Sequence, residues 1–227
     1  MPKRLKETMI RSDFHMHTAF STDSEEAVES MLNRAVERGL YSVCITDHMD
    51  ADYPPDDEMG ESAFRLDTEN YFPFLLKKKK EYEERIQVRI GIELGLQKHL
   101  GTRYETLIEK YPFDFVIGSM HLVCGEDPYT GKVFEELGDA QVYRRMFCET
   151  LECIRKIKCF DVLGHLDYVV RYGKHQAEAY SYEKFSDEID MILRELISSG
   201  KGLELNMAGI KYGLGSVSYT HLTLPTN

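Results

Sequence analysis

Six short apolar runs alternate with amphipathic stretches along the chain, and this alternation confines it to a parallel sheet covered by helices. The runs fall at residues 12–18, 42–46, 87–93, 113–118, 160–164 and 202–206. After the first run, Val28, Met31, Leu32, Ala35 and Val36 follow helical spacing, with Asp23 or Ser24 as N-cap and Gly39 as the stop. Further helices are predicted over about residues 67–84, 104–110 and 140–158. A last one carries Phe185, Ile189, Ile192, Leu193, Leu196 and Ile197 and ends at Gly200. Residues 123–138, rich in Gly, Pro and Asp, read as a long functional loop. No glycine-rich phosphate fingerprint follows the first run, so a closed or nearly closed barrel is favoured over an open dinucleotide-binding sheet.

The bulk composition narrows the partners. With 227 residues and 42% hydrophobic content, the chain can bury the core of one barrel-sized domain. A formal charge of −11 argues against a broad nucleic-acid surface, although bound cations can still reverse the local field for an anionic substrate. The lysine run 77–80 reads as a solvated helix face. No run is apolar enough to span a bilayer and the start lacks a signal-peptide core, so no membrane partner and a cytoplasmic location are expected. Five scattered cysteines lack zinc-knuckle spacing and read as reduced and mostly buried.

Metal-type residues share one address. His15 and His17 stand two apart, and in an extended strand both rings would face one side. His48 follows the second run, Glu93 ends the third, His121 follows the fourth and His165 the fifth. In a βα barrel, those strand ends open onto one face. Each residue alone has a plainer reading, as a strand-end cap or a salt-bridged carboxylate; Asp23 reads either as the N-cap or as a ligand. Coincidence at five strand ends is implausible. Five histidines and a carboxylate exceed one tetrahedral ion, which implies two or three divalent metals, with zinc, manganese and iron all suited to the donors. Such ions clamp a phosphoryl group and generate hydroxide near neutral pH. His99 and His175 share no such address and are left as surface residues.

These motifs, in this order, resemble the PHP (polymerase and histidinol phosphatase) metal-dependent phosphoesterases. The matching text is Asp13-Phe14-His15-Met16-His17-Thr18, Ile45-Thr46-Asp47-His48, Gly91-Ile92-Glu93, Gly118-Ser119-Met120-His121 and Gly164-His165-Leu166-Asp167. The resemblance implies an α/β fold, a distorted barrel of about seven strand–helix units, and a trinuclear cluster. One metal would take His15, His17 and Glu93; a second Glu93, His121 and His165; a third Asp23 and His48. Within the superfamily, residues 164–173 and 203–209 are most similar to histidinol-phosphate phosphatases. The resemblance places Arg171 at the phosphate, where a guanidinium can form two parallel bonds, and Asn206 and Lys211 beside the substrate. For Arg171 a plain surface cation is the competing reading.

The resemblance implies a final helix and a strand ending in Asp-x-His, and no such motif follows Gly215. Residues 1–215 are therefore expected to form one barrel domain incomplete at its C-terminus. Residues 216–227 form a tail unlike the family, and His221 within it is not adopted as a ligand. Two weakened metal sites and an impaired, less stable enzyme are expected. The expected activity is hydrolysis of L-histidinol phosphate to L-histidinol and phosphate in histidine biosynthesis, with a small phosphorylated molecule as the partner. The alternatives are a PHP phosphoesterase acting on nucleotides or phosphotyrosine, and a non-catalytic metal-binding PHP module.

Overall fold

The computed structural model describes residues 11–55 and 63–206. Lys211, the tail at 216–227 and His221 lie outside the described residues. The chain runs through β1 (Ser12–Asp13), α1 (Val28–Glu37), β2 (Ser42–Ile45), β3 (His48–Met49), α2 (Thr68–Glu81), β4 (Gln87–Gly95), α3 (Gly101–Lys110) and β5 (Phe115–Ser119). It continues through α4 (Lys132–Leu137), α5 (Asp139–Lys156), β6 (Val162–Leu163), α6 (Gln176–Ala179), α7 (Tyr182–Ser198) and β7 (Gly202–Leu203). Every strand pairing is parallel, in the order β1-β2-β4-β5-β6-β7, with β3 also on β4. The α/β expectation therefore holds, and among the described residues the sheet forms an incomplete barrel with β1 and β7 as its edges.

The strands are buried on both faces, as a helix-covered parallel sheet requires. All four residues of β2 are buried, and β4 is buried from Ile90 to its end. At its centre, a Cβ on Gly91 would stand 2.6 Å from Cys44 Sγ and 2.8 Å from the Phe115 carbonyl oxygen, so the neighbouring strands need glycine there. Gly39, at φ +71°, terminates α1 in the left-handed conformation.

Several boundaries differ from the sequence reading. The regular part of β1 stops at Asp13, and residues 14–18 continue beside β2 through single contacts to Thr46 and Asp47. The helix cap is also different: α1 begins at Val28 with Ala27 at the N-cap position and no side-chain cap. Asp23 and Ser24 lie in the preceding bend, where the Ser24 hydroxyl donates to the His17 carbonyl. β4 runs two residues past Glu93, because β3 pairs with it to Leu94 and β5 to Gly95. β3 was missed because two residues make no apolar run. The 123–138 loop contains a 3-10 turn, Pro128–Thr130, and α4. All five thiols are free, but Cys124 and Cys148 are exposed, against the mostly buried expectation. In the lysine run, Lys78 is packed down between Glu29 (2.8 Å) and Glu81 (2.7 Å) rather than solvated. Among the described residues, no helix is long and apolar enough to cross a membrane.

Between β2 and β3 the chain leaves the sheet at Thr46 and Asp47, and two buried tyrosines complete the interrupted ladder. The Tyr71 hydroxyl lies 3.0 Å from the carbonyls of both Ile45 and Gly91. The Tyr104 hydroxyl bridges the carbonyls of Met49 (3.1 Å) and Gly95 (2.6 Å) and accepts from the Ala51 amide. Unsatisfied buried carbonyls are costly. Tyr71→Phe is expected to lower stability by about 1–3 kcal/mol, measured by urea denaturation.

Candidate metal centre

Glu93 is the hub. It is fully buried on β4, and five imidazoles point a ring nitrogen at its carboxylate. His15 Nε2 and His17 Nε2 lie 3.3 and 3.5 Å from Oε2. His121 Nε2 and His165 Nε2 lie 3.2 and 3.1 Å from Oε1. His48 joins them through Nδ1, 3.1 Å from Oε2. The backbone explains these meetings. β3 registers His48 directly against Glu93, and paired residues of parallel strands share a face. His121 and His165 each stand two residues beyond the ends of β5 and β6. His15 and His17 converge without a regular strand between them: the Met16 amide donates to Thr46 Oγ1, and Thr46 returns its amide to the Met16 carbonyl.

A ring of carboxylates sets the orientation of the imidazoles. His15 Nδ1 donates to Glu204 at 2.6 Å, leaving Nε2 for the centre. His121 Nδ1 donates to Asp50 at 2.6 Å, and His48 Nδ1 lies 3.2 Å from the other oxygen of the same carboxylate. This is the outer-shell pattern that fixes tautomer and ring angle in metal sites. A Cβ on Gly95 would collide with Asp50, so glycine makes room for it. Asp47 works one layer further out. Its buried carboxylate accepts from the Thr18 amide and from the hydroxyls of Thr18 and Ser21, pinning the segment that carries His17.

The titration behaviour reflects this crowding. Burial alone would raise the Glu93 pKa, yet the positive fields of His15, His48 and His121 hold it well below the ordinary carboxylate range. Burial disfavours the His15 imidazolium, but Glu93 and Glu204 outweigh it and lift its pKa to about 10. His121, likewise buried, is raised to about 9 by Asp50 and Glu93. His17 falls to about 4, because burial and the charges of His48 and His15 outweigh Glu93. The buried His165 is lowered.

The donor set fits divalent cations. Three groups bring one ligand atom per residue within 4.8 Å of one another: His15, His17 and Glu93; His17, Asp23 and His48; and His48, Glu93 and His121. Glu93 Oε2 and His121 Nε2 are buried without a hydrogen-bond partner among the described residues, although both face the centre. The first group matches the expected site, and His17 joins Asp23 and His48 in another. His165 touches Glu93 but stands outside all three groups, with His48 in the place the resemblance gave it. Asp23 reaches His48 Nε2 at 3.6 Å, and it does not cap α1, which starts at Val28 behind Ala27.

A cavity of about 520 Å³ opens over these residues. Arg171 and Asn206 line it, and an Arg171 Nη2 donor reaches Asn206 Oδ1 at 3.4 Å. Arg171 comes from the 3-10 turn Tyr168–Tyr172, where residues three apart share a face, so its guanidinium lies over the Tyr168 ring. His99 and His175 are exposed and do not line the cavity. Sequence reasoning assigned no role to Asp50, Glu204, Tyr53, Asp127 or Tyr168. A carboxylate two residues after His48 was a usable signal for Asp50; the others depend on tertiary approach.

Comparison with known proteins agrees with this geometry. The PHP domain family model matches residues 13–208. The chain belongs to the PHP domain family. Histidinol-phosphatase of Lactococcus lactis is 30% identical over 200 residues, covering 87% of this chain and 72% of the relative. A protein named "Probable histidinol-phosphatase" from Clostridium acetobutylicum is 33% identical over 195 residues, covering 86% and 72%. The crystal structure of the Lactococcus lactis histidinol phosphate phosphatase, complexed with zinc, L-histidinol and phosphate, superposes with a TM-score of 0.79 at 29% identity. That match covers 86% of this chain and 73% of the other. This PHP chain thus shares its fold with an enzyme that binds zinc.

Two outcomes are expected. Asp50→Ala removes the anchor of two imidazoles and should weaken zinc binding by about 10–100-fold, read by competition with a chromophoric chelator. Raised imidazole pKa values mean that His15 and His121 keep their protons until pH climbs through about 10 and about 9. Metal uptake must displace those protons, so apparent zinc affinity should rise steadily from about pH 6 to about pH 8. A flat profile in the same titration would contradict this picture of the apo centre.

Proposed function

We propose that this chain is a metal-dependent phosphomonoesterase that converts L-histidinol phosphate to L-histidinol and phosphate, a step of histidine biosynthesis. The convergence of five imidazoles on buried Glu93, beneath a cavity that also holds Arg171, carries the reading. The relatives named for this activity support the substrate.

His15, His17, Asp23, His48, Glu93, His121 and His165 would hold two or three divalent ions, with Glu93 shared between sites. Zinc is favoured because the Lactococcus lactis enzyme holds it, and the mixed nitrogen and oxygen donors also accommodate manganese or iron. Bound there, such ions supply a hydroxide nucleophile near neutral pH and offset charge on the phosphoryl oxygens. Arg171 places two parallel N–H groups against the phosphate. Asn206, 3.4 Å from the guanidinium, orients it, and Lys211 adds a point charge to the same anion. The carboxylates of Glu204 and Asp50 hold the Nδ1–H groups of His15 and His121 away from the centre and leave their Nε2 atoms for metal. A cytoplasmic setting belongs to the same reading, supported by the five free thiols.

Phosphate release should be measured from L-histidinol phosphate, nucleotide monophosphates and phosphotyrosine peptides after zinc loading. Turnover of L-histidinol phosphate well above the others is expected, with Glu93→Gln abolishing it and lowering bound zinc by elemental analysis. Turnover of only the other esters would reject the substrate. No turnover of any ester, with metal bound, would make the chain a non-catalytic module.

A further inference from the structure

We infer that Asp127, braced by Tyr53, receives the imidazole ring of the substrate at the outer end of the cavity and so determines specificity. The inference rests on the proposed reaction and adds a residue to it. Two aromatic walls lead outward from the metal centre. On one side Phe64 packs edge-on to the His48 ring at 5.1 Å, and Tyr53 follows at 4.9 Å. On the other, Tyr168 lies 5.4 Å from His121, Tyr172 is 5.2 Å further, and Tyr129 is 5.9 Å beyond that.

Asp127 closes the space between these walls. Its Oδ2 accepts from the Tyr53 hydroxyl at 2.5 Å, and its Oδ1 accepts from the Tyr129 amide at 2.8 Å. The second bond is an ordinary cap of the Pro128–Thr130 turn. The first is not local: it crosses from the loop after β3 to the loop after β5 and aligns a carboxylate with the cavity. A carboxylate has about four acceptor sites, and two remain after these bonds. Among the described residues, Asp127 has no salt bridge to Lys, Arg or His, while it lines the same cavity as Arg171. Among the described residues, the cavity therefore presents a cation beside the metal centre and an anion with no salt-bridge partner two aromatic rings away.

That layout matches the two ends of the substrate. The phosphate belongs beside the metal centre and Arg171. In L-histidinol phosphate, the amino group is attached only two carbons from the ester oxygen and stays near the centre. The imidazole is the far end, and it is flat. Aromatic walls suit its faces, and a carboxylate accepts its ring N–H, more strongly if the ring is protonated.

Binding of three alcohols to the zinc-loaded chain tests the assignment by calorimetry. They are L-histidinol, L-phenylalaninol, which keeps the amine and replaces imidazole with phenyl, and 3-(imidazol-4-yl)propanol, which keeps imidazole and lacks the amine. The wild-type chain should prefer L-histidinol to L-phenylalaninol. Asp127→Asn keeps the turn cap and removes the charge; Asp127→Ala removes both. Each should cut the affinity of both imidazole ligands by about tenfold or more and leave L-phenylalaninol little changed. Tyr53→Phe should produce a smaller loss with the same ligand pattern.

Equal losses for all three ligands would mark a structural role and overturn the inference. Loss for L-histidinol without loss for 3-(imidazol-4-yl)propanol would overturn it in favour of an ammonium contact. Absence of any preference in the wild-type chain would also overturn it. The reaction itself stands or falls separately, on whether the wild-type chain hydrolyses L-histidinol phosphate.

Discussion

One fully buried carboxylate organises this molecule. Glu93 sits two residues from the C-terminal end of β4, where desolvation alone would drive it to the neutral form, and it stays ionised because imidazoles surround it. Burying a charge is tolerable only when partners compensate it. Glu93 thus dictates what every neighbouring strand end must bring: β3 brings His48, β5 leads to His121, β6 leads to His165, and the segment after β1 brings His15 and His17. Protons hold His15, His48 and His121 positive in the absence of metal, and divalent cations are the natural replacement. The centre is therefore built to exchange one kind of positive charge for another around a fixed anion.

The second layer makes that exchange specific. Glu204 and Asp50 grip the outer nitrogens of His15 and His121, so the inner nitrogens of those two rings are presented rather than left to rotate. Glu204 also accepts from the His165 amide, so one side chain beyond β7 fixes a ring near β1 and the backbone beyond β6. The Tyr71 and Tyr104 hydroxyls complete the backbone where β2 gives way to β3, and they let the chain turn inward there without stranding polar groups.

Much of this was legible in the sequence. The period of apolar residues located the main helices and every strand but β3, and the placement of histidines after apolar runs located the centre. The residues that escaped did so for identifiable reasons. β3 is two residues long and carries its information in register, not composition. Asp50 and Glu204 are ordinary acidic residues until tertiary contact sets them against imidazoles. Asp23 looked equally suited to a cap, and only the start of α1 at Val28 separates the two roles. His15 and His17 were expected to align through strand geometry; they align through hydrogen bonds to Thr46 and Asp47 instead. Asp127 was hidden inside a segment whose composition says only that it is a loop.

The contact between His15 and Glu204 spans 189 positions, from just beyond β1 to just beyond β7. Parallel sheets gather such distant partners late, since long loops must close before the contacts repay them. The His15 ring is therefore oriented only once β7 has docked and brought Glu204 to it, whereas the grip of Asp50 on His121 needs only the loops beyond β3 and β5. The His15 side of the centre is the part that waits on the long-range closure.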